Sequence, residues 1–326
     1  MKKFIFLALL STASLLSTAV VRYVKPTASG LGNGSSWANA SGDLQQMMNE
    51  LEAIGGGEIW VAAGFHYSTQ KPIPSANNRN VTFLLKANVK IYGGFLGNET
   101  ELSQRNWKTH ETILNGMARY HAVTAVGDVG SAVLDGFIIQ LAQTEPYSTD
   151  PESSIIVNGY TIYNRRGAGI TIHGSAPVLM NLIIRNNHAV EGAGIYIADG
   201  ASPTIVNTVI HSNTTSPGTG GGIKCVNSFF VLMNSTIAYN KASDASGGIY
   251  NINSNPTIHN SIVYGNSTGE IVNQNSSPLY GFSLIKGVTT RDTKGNLDGN
   301  FNPYFLNTNP NNLDLRLDTL SPYVFV

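Results

Sequence analysis

Each of four Gly-Ile steps in the middle of the chain is followed by a residue that could do chemistry: Thr171, Tyr196, Lys224 and Tyr250. They alternate with Ile170, Ile195, Ile223 and Ile249, so if the isoleucines face a core, these four form one outward column, with His173 beside it. Just upstream, Tyr160, Tyr163, Arg165 and Arg166 end a segment that leads into the first step. Aromatic and hydrogen-bonding groups in a line suit an extended sugar chain, whose apolar ring faces stack on aromatics while its hydroxyls take polar partners. The ligand-binding set this predicts is Tyr163, Arg165, Arg166, His173, Tyr196, Lys224 and Tyr250, with a polysaccharide or a cell-surface glycan as partner. The bland alternative is a row of ordinary solvated strand residues.

Catalysis asks for more than such a column supplies. Sugar-chain lyases need carboxylates for calcium and an Arg or Lys base; hydrolases need two closely spaced carboxylates. Between 167 and 270 the only acids are Glu191, Asp199, Asp244 and Glu270, all placed in turns by the strand pattern. A non-enzymatic role is therefore the leading expectation. The rival is a polysaccharide lyase or glycoside hydrolase in the same groove, a lyase using Lys224 or Arg166 as base and Tyr196 as acid. No cofactor is implied: Gly218-Thr219-Gly220-Gly221-Gly222 lacks the Lys-Ser/Thr of a phosphate loop, and one cysteine makes no metal cluster. That cysteine, Cys225, falls in the inward column and reads as a buried thiol. His211 and His259 do not align and read as surface or turn residues. Twenty basic residues balance twenty acidic ones, and only 12% of positions are charged, so nucleic acid is not an expected partner.

The elements that must position these residues repeat every 26 residues or so. Eleven or twelve residues after each Gly-Ile isoleucine come Asn181, Asn207, Asn234 and Asn260, and six beyond those come Asn187, Asn213, Asn240 and Asn266. Apolar residues alternate within each unit, which is the period of strands. Units of this length, with short strands between Gly and Asn turns, fit the coils of a parallel β-helix; a propeller blade needs about 40 residues. Stacked coils about 4.8 Å apart would lay like side chains over like, so both Asn columns should hydrogen-bond along the axis. By the same alignment Asp135 falls in the first Asn column and Leu141 in the second.

The ends read differently. Met1-Lys2-Lys3, the apolar run Phe4 to Leu10 and Ser17-Thr18-Ala19 have the regions of a secretory signal peptide over 1–19, which predicts an exported, secreted or surface chain with no membrane span once the leader is removed. Residues 20–56 read as an N-terminal cap, with an amphipathic helix over 41 to 54 that presents Leu44, Met47, Met48, Leu51 and Ile54. Residues 57–290 read as the β-helix, regular over 167–270, with 64 to 80 and 96 to 111 as loops. Residues 142 to 166 make an excursion beside the Gly-Ile face, and 291–326 close the fold.

The pattern Gly247-Gly248-Ile249-Tyr250-Asn251, Asn255-Pro256-Thr257-Ile258-x-Asn260 and Ile262-x-x-x-Asn266 resembles right-handed parallel β-helix repeat proteins of bacterial surfaces, and is similar to the repeats of chlamydial polymorphic outer membrane proteins. Tyr23 to Trp37, Val89 to Phe95 and Leu134 to Phe137 look like the N-terminal half of exported Bacteroidetes β-helix proteins. Asn302 to Asn307, Asp314 to Leu317 and Ser321-Pro322 look like the closing segment of chains called choice-of-anchor Q. The resemblance implies an all-β, single-stranded, right-handed parallel β-helix with a short N-terminal capping helix. It implies an adhesin-like or glycan-binding surface role more than an activity: the polygalacturonase set of Asn-Thr-Asp, Asp-Asp, Gly-His-Gly and Arg-Ile-Lys does not occur.

Overall fold

The computed structural model describes residues 20–74, 77–144, 153–288, 294–309, 313–319 and 321. Residues 1–19, read above as a secretory signal peptide, and Pro322 lie outside them. The chain winds into a parallel β-helix with three faces. A nine-stranded face runs from Val21–Val24 to Leu279–Gly281, an eight-stranded face from Gly64–Tyr67 to Leu284–Ile285, and a seven-stranded face from Phe83–Leu84 to Ile271–Gln274. The seven-stranded face carries the Gly-Ile strands. A short fourth ladder, His188–Ala189, Thr214–Thr215 and Lys241–Ala242, turns the corner back to it.

Register is what makes the columns. Ile170 pairs with Ile195, Ile195 with Ile223, Ile223 with Ile249, and Ile249 with Ile271, and the first four are fully buried in one core cluster. Leu179, Ile205, Leu232 and Ile258 make a second buried file, and Ile184, Ile210, Ile237 and Val263 a third, so three walls converge on one dry interior. Cys225 lies in this interior, its thiol pushed up to about 11 by burial.

The two asparagine columns do different work. Asn187, Asn213, Asn240 and Asn266 are buried, and each Nδ2 from 187 to 240 donates to the next Oδ1 at 3.0 Å. The same Oδ1 atoms accept the backbone N–H of the preceding asparagine, and the file ends on the Glu270 carboxylate, 2.7 Å from Asn266 Nδ2. Asn181, Asn207, Asn234 and Asn260 instead hold left-handed backbone, φ 49–53°, at the corner between the nine- and eight-stranded faces. Asn suits that conformation because its short polar side chain tolerates it. Their amides pair only in part: Asn207 with Asn181 at 2.5 Å and Asn260 with Asn234 at 2.6 Å.

Several expectations are corrected. Strand pairing puts Gly136, not Asp135, in register with Asn181, and Ala142, not Leu141, with Asn187. Asp135 still receives the Asn181 amide, at 2.6 Å. The excursion of φ above zero explains the shift, since Gly136 (φ 84°) fills the left-handed position in that coil. Gly64–Tyr67, expected in a loop, is a strand paired with Thr112–Asn115. His211 and His259 are strand residues of two faces rather than turn residues; His259 is exposed, as a surface residue is, and His211 is half-buried.

The N-terminal helix is Leu44–Ala53, capped by the Asp43 carboxylate, which accepts from Gln46 N–H at 3.0 Å. Leu44, Met47, Met48 and Leu51 close the end of the core, as an amphipathic cap should. Ile54 does not join them: it is the C-cap residue and 59% exposed. At the far end an antiparallel pair, Phe305–Asn307 with Asp314–Leu317, lies against the last coils.

Candidate functional site

The seven-stranded face has an outer side as well as an inner one. Leu84, Thr124, Thr171, Tyr196, Lys224, Tyr250 and Val272 stand in register along it, alternating with the buried isoleucines. The column is outward but, in its middle, not solvated. Thr171 is 0% exposed, Tyr196 3% and Lys224 5%; His173 is buried, while Tyr163, Arg165, Arg166 and Tyr250 are half-buried.

Two devices cover it. Gly167, Gly192 and Gly220, each two residues before a Gly-Ile step and each left-handed (φ 58–74°), bring the returning chain so close that a Cβ would meet Thr171, Tyr196 or Lys224 at 2.7–3.0 Å. Only glycine fits there. The second device is the excursion, whose described part is the hairpin Ser154–Val157 and Tyr160–Tyr163. Its turn is Asn158-Gly159, both left-handed, the pairing that a two-residue hairpin favours. Ile155, Val157 and Ile162 pack with Val126 in a small apolar cluster of their own, and Asn158 Nδ2 donates to the Val126 carbonyl at 3.1 Å. The Tyr160 ring lies over Gly174, where a side chain would collide with it.

Under and beside this cover the polar groups form one network. Glu191 is the node: Arg166 Nε stands 3.1 Å from one carboxylate oxygen and Lys224 Nζ 2.9 Å from the other. Lys224 also donates to Thr219 Oγ1 at 2.9 Å. The Arg166 guanidinium is 4.4 Å from the Tyr163 ring centre and 5.8 Å from that of Tyr196, and the Lys224 ammonium 5.4 Å from that of Tyr250. These distances are those of cation–π contacts. Arg166 Nη1 reaches the Tyr196 hydroxyl at 3.5 Å, and burial pushes that phenol up to about 12.

His173 forms the second branch. Its Nδ1 is 2.7 Å from Asp199 Oδ2 and its Nε2 3.0 Å from Thr171 Oγ1. A carboxylate only accepts, so Nδ1 carries the proton and Nε2 accepts from Thr171. Burial lowers the His173 pKa against the pull of Asp199, which keeps the ring neutral at neutral pH. One strand along, His121 Nδ1 donates to the Gly167 carbonyl at 2.8 Å, and burial takes its pKa down to about 4.

The structure thus brings Tyr163, Arg166, His173, Tyr196, Lys224 and Tyr250 together. Arg165 is tied in through its backbone, whose carbonyl accepts from Val190 and Glu191 N–H at 3.1 and 3.3 Å; its side chain enters none of the network's bonds. The sequence reading missed the roles of Glu191, Asp199 and Thr219. Arg166, Glu191 and Thr219 each lie three residues before a Gly-Ile glycine, so aligning the repeats would have stacked the opposite charges. Asp199 lies where Gly174, Asn227 and Asn253 hold left-handed backbone, an Asp in a turn column.

Chemically, the buried members do not present themselves to a polymer. The Thr171 hydroxyl is enclosed, and a Lys224 ammonium donating to Glu191 and Thr219 has no lone pair to offer as a base. Among the described residues no three His, Cys, Asp or Glu gather to hold a metal ion. What reaches solvent is a rim: Arg166, Glu191 and Asp199, with side chains 36%, 26% and 49% exposed, between Tyr163 and Tyr250.

Comparison with known proteins places the fold. The family model described as "Right handed beta helix region" matches residues 77–210 and 148–285. A search of the curated proteins gives no match. Among solved structures, the pectate lyase Pel9A aligns over 86% of this chain and 67% of its own, with TM-score 0.52 and 13% identity, a likeness of fold alone. A pectin methylesterase from Aspergillus niger (11% identity, 80% and 87% covered, TM-score 0.32) and the A-module of the Azotobacter vinelandii mannuronan C-5 epimerase AlgE4 (15%, 74% and 71%, TM-score 0.26) align too loosely to carry an argument.

Proposed function

This chain belongs to the right-handed β-helix family, and we propose that it is an exported, non-enzymatic glycan-binding protein of adhesin-like type. The ligand would be a polysaccharide or cell-surface glycan lying along the rim beside the Gly-Ile face. The observation that carries the reading is the fixing of two accessible rings by cations, Tyr163 by Arg166 and Tyr250 by Lys224, with both cations anchored on Glu191. Rings held in place lose little freedom on stacking against a sugar, and the exposed edges of Arg166, Glu191 and Asp199 supply partners for hydroxyls. That the pectate lyase with the same fold acts on a polysaccharide is in keeping with such a partner.

The rival, a polysaccharide lyase or glycoside hydrolase at the same place, has one observation in its favour: Tyr196 is kept protonated by burial and touches Arg166, an acid beside a cation. Against it stand the engaged Lys224 and the enclosed Thr171. Export rests on the signal-like N-terminus; no helix among the described residues is long and apolar enough to cross a membrane. Glycan-array binding, run beside reducing-end and unsaturated-uronate assays, separates the readings. Binding without turnover, weakened about tenfold in Tyr163→Ala/Tyr250→Ala with an unchanged melting temperature, is the expected result. Turnover of any polysaccharide replaces the proposal by the enzyme, and equal binding by the double variant removes the site.

A further inference from the structure

A cavity of about 650 Å³ lies away from the Gly-Ile face, at the corner between the nine- and eight-stranded faces and under the closing strands. That volume is in the range of small-molecule sites. One wall is apolar, with Leu315 and Leu317 of the closing strand; the other is polar, with Asn234, Asn260 and His259. Among the described residues that line it there is no Asp, Glu, Lys or Arg.

Phe282 stands at its lip and breaks the local pattern. The last strand pairing, His259 with Gly281, puts Phe282 in register with Asn260, at the left-handed corner that Asn181, Asn207, Asn234 and Asn260 occupy below. Phe282 takes the same backbone, φ 50°, where a bulky residue is strained, and the residue is 57% exposed. The ring is not loose: it lies against Gly295, where a Cβ would come within 2.7 Å, and 5.1 Å from the His259 imidazole. The substitution also leaves the ladder unfinished. Asn260 Nδ2 donates to Asn234 Oδ1 at 2.6 Å, and an asparagine at 282 could donate to Asn260 Oδ1; phenylalanine cannot. An acceptor oxygen without a donor among the described residues therefore sits beside a fixed, exposed aromatic face, over an uncharged hollow.

The geometry points to a second binding site here, for a neutral sugar ring: the ring's apolar face stacks on Phe282, and its hydroxyls bond Asn260 Oδ1, Asn234 Nδ2 and the His259 ring. The absence of lining charge selects against uronates and sulfated sugars, which would lose hydration with no cation to meet them. This site is independent of the rim proposed above.

Saturation-transfer NMR with the methyl glycosides of glucose, galactose, mannose and N-acetylglucosamine tests it on the full-length protein. Transfer to at least one glycoside is expected, competed by no change at the rim: Tyr163→Ala/Tyr250→Ala leaves it intact. Phe282→Asn is the informative variant, because it relieves the backbone and completes the ladder. It should melt no lower than the parent and bind about tenfold more weakly, while Phe282→Tyr keeps the affinity. Silence from all four glycosides, or undiminished binding by a folded Phe282→Asn, overturns the site. Binding of decanoate in their place overturns the ligand class.

Discussion

Two polar columns run along this molecule, both largely withdrawn from water, and they are built on opposite principles. The corner column Asn187, Asn213, Asn240 and Asn266 repeats one residue; the outer column Thr171, Tyr196, Lys224 and Tyr250 changes residue from each coil to the next. In the first, register sets each amide donor from 187 to 240 over the next acceptor, and only the last member, Asn266, needs a different partner, Glu270. In the second, each side chain needs its own partner brought from elsewhere: Glu191 for Lys224, Arg166 for Tyr196, His173 for Thr171. Repetition therefore holds the coil together, while variation is where a surface property can be written.

If that contrast is right, the corner column should be the costlier to break. Asn213→Ala removes the donor to Asn240 Oδ1 and to the Ile184 carbonyl, and the acceptor for two N–H groups of Asn187, all buried. Each buried group left unpaired costs about 1–3 kcal/mol, so a loss of about 3 kcal/mol or more is expected in denaturant unfolding. An unshifted midpoint would show that the ladder is ornamental. Glu191→Gln is the matching lesion in the outer column. It leaves Arg166 and Lys224 without their shared countercharge, but Glu191 keeps 26% exposure, so water screens part of the effect and about 1–2 kcal/mol is expected. A larger loss than that of Asn213→Ala would reverse the comparison.

Acid should probe the outer column first. The His121 pKa falls to about 4 from an ordinary 6.5, and that of His173 is also lowered, each chiefly through burial. Between those values the unfolded chain binds protons that the folded chain refuses, so stability falls as pH drops from about 6.5 toward 4 and is unaffected by these groups above that window. His211, lowered to about 4, adds to the slope, and Glu270, raised by burial, acts with the opposite sign above its ordinary 4.5. His121→Asn, which keeps a donor for the Gly167 carbonyl, isolates one contribution. Its melting temperature should vary less between pH 7 and 5 than the parent's, and parallel curves would refute the assignment.

The fold was legible because its signals repeat. The Gly-Ile step, the two Asn positions and the alternating isoleucines each recur four times, and the helix announced itself through Leu44, Met47, Met48 and Leu51. The site was legible only in part. Alternation showed that Tyr196 and Lys224 point out of the coil, yet not that they are covered, because covering depends on Gly167, Gly192 and Gly220 closing over them and on a hairpin outside the repeat. Asp135 and Leu141 of the upstream coil each fall one residue short of register because the corner position demands a left-handed backbone, not an Asn-like side chain, and Gly136 meets that demand without one.

That same distinction, side chain against backbone, sets the smallest expected effect. Asn207 lies in the exposed corner column and bonds Asn181 at 2.5 Å, so a ladder argument predicts that any truncation hurts. The backbone argument predicts otherwise. At φ 49° an alanine pays about 1 kcal/mol for its Cβ, whereas glycine pays no steric strain, and the lost amide bond is one that water replaces at an exposed site. Asn207→Ala should therefore lower stability by about 1 kcal/mol and Asn207→Gly by less, measured side by side in denaturant. If the two fall equally, the amide and not the turn is what the sequence preserves at 181, 207, 234 and 260, and the two asparagine columns differ in exposure alone.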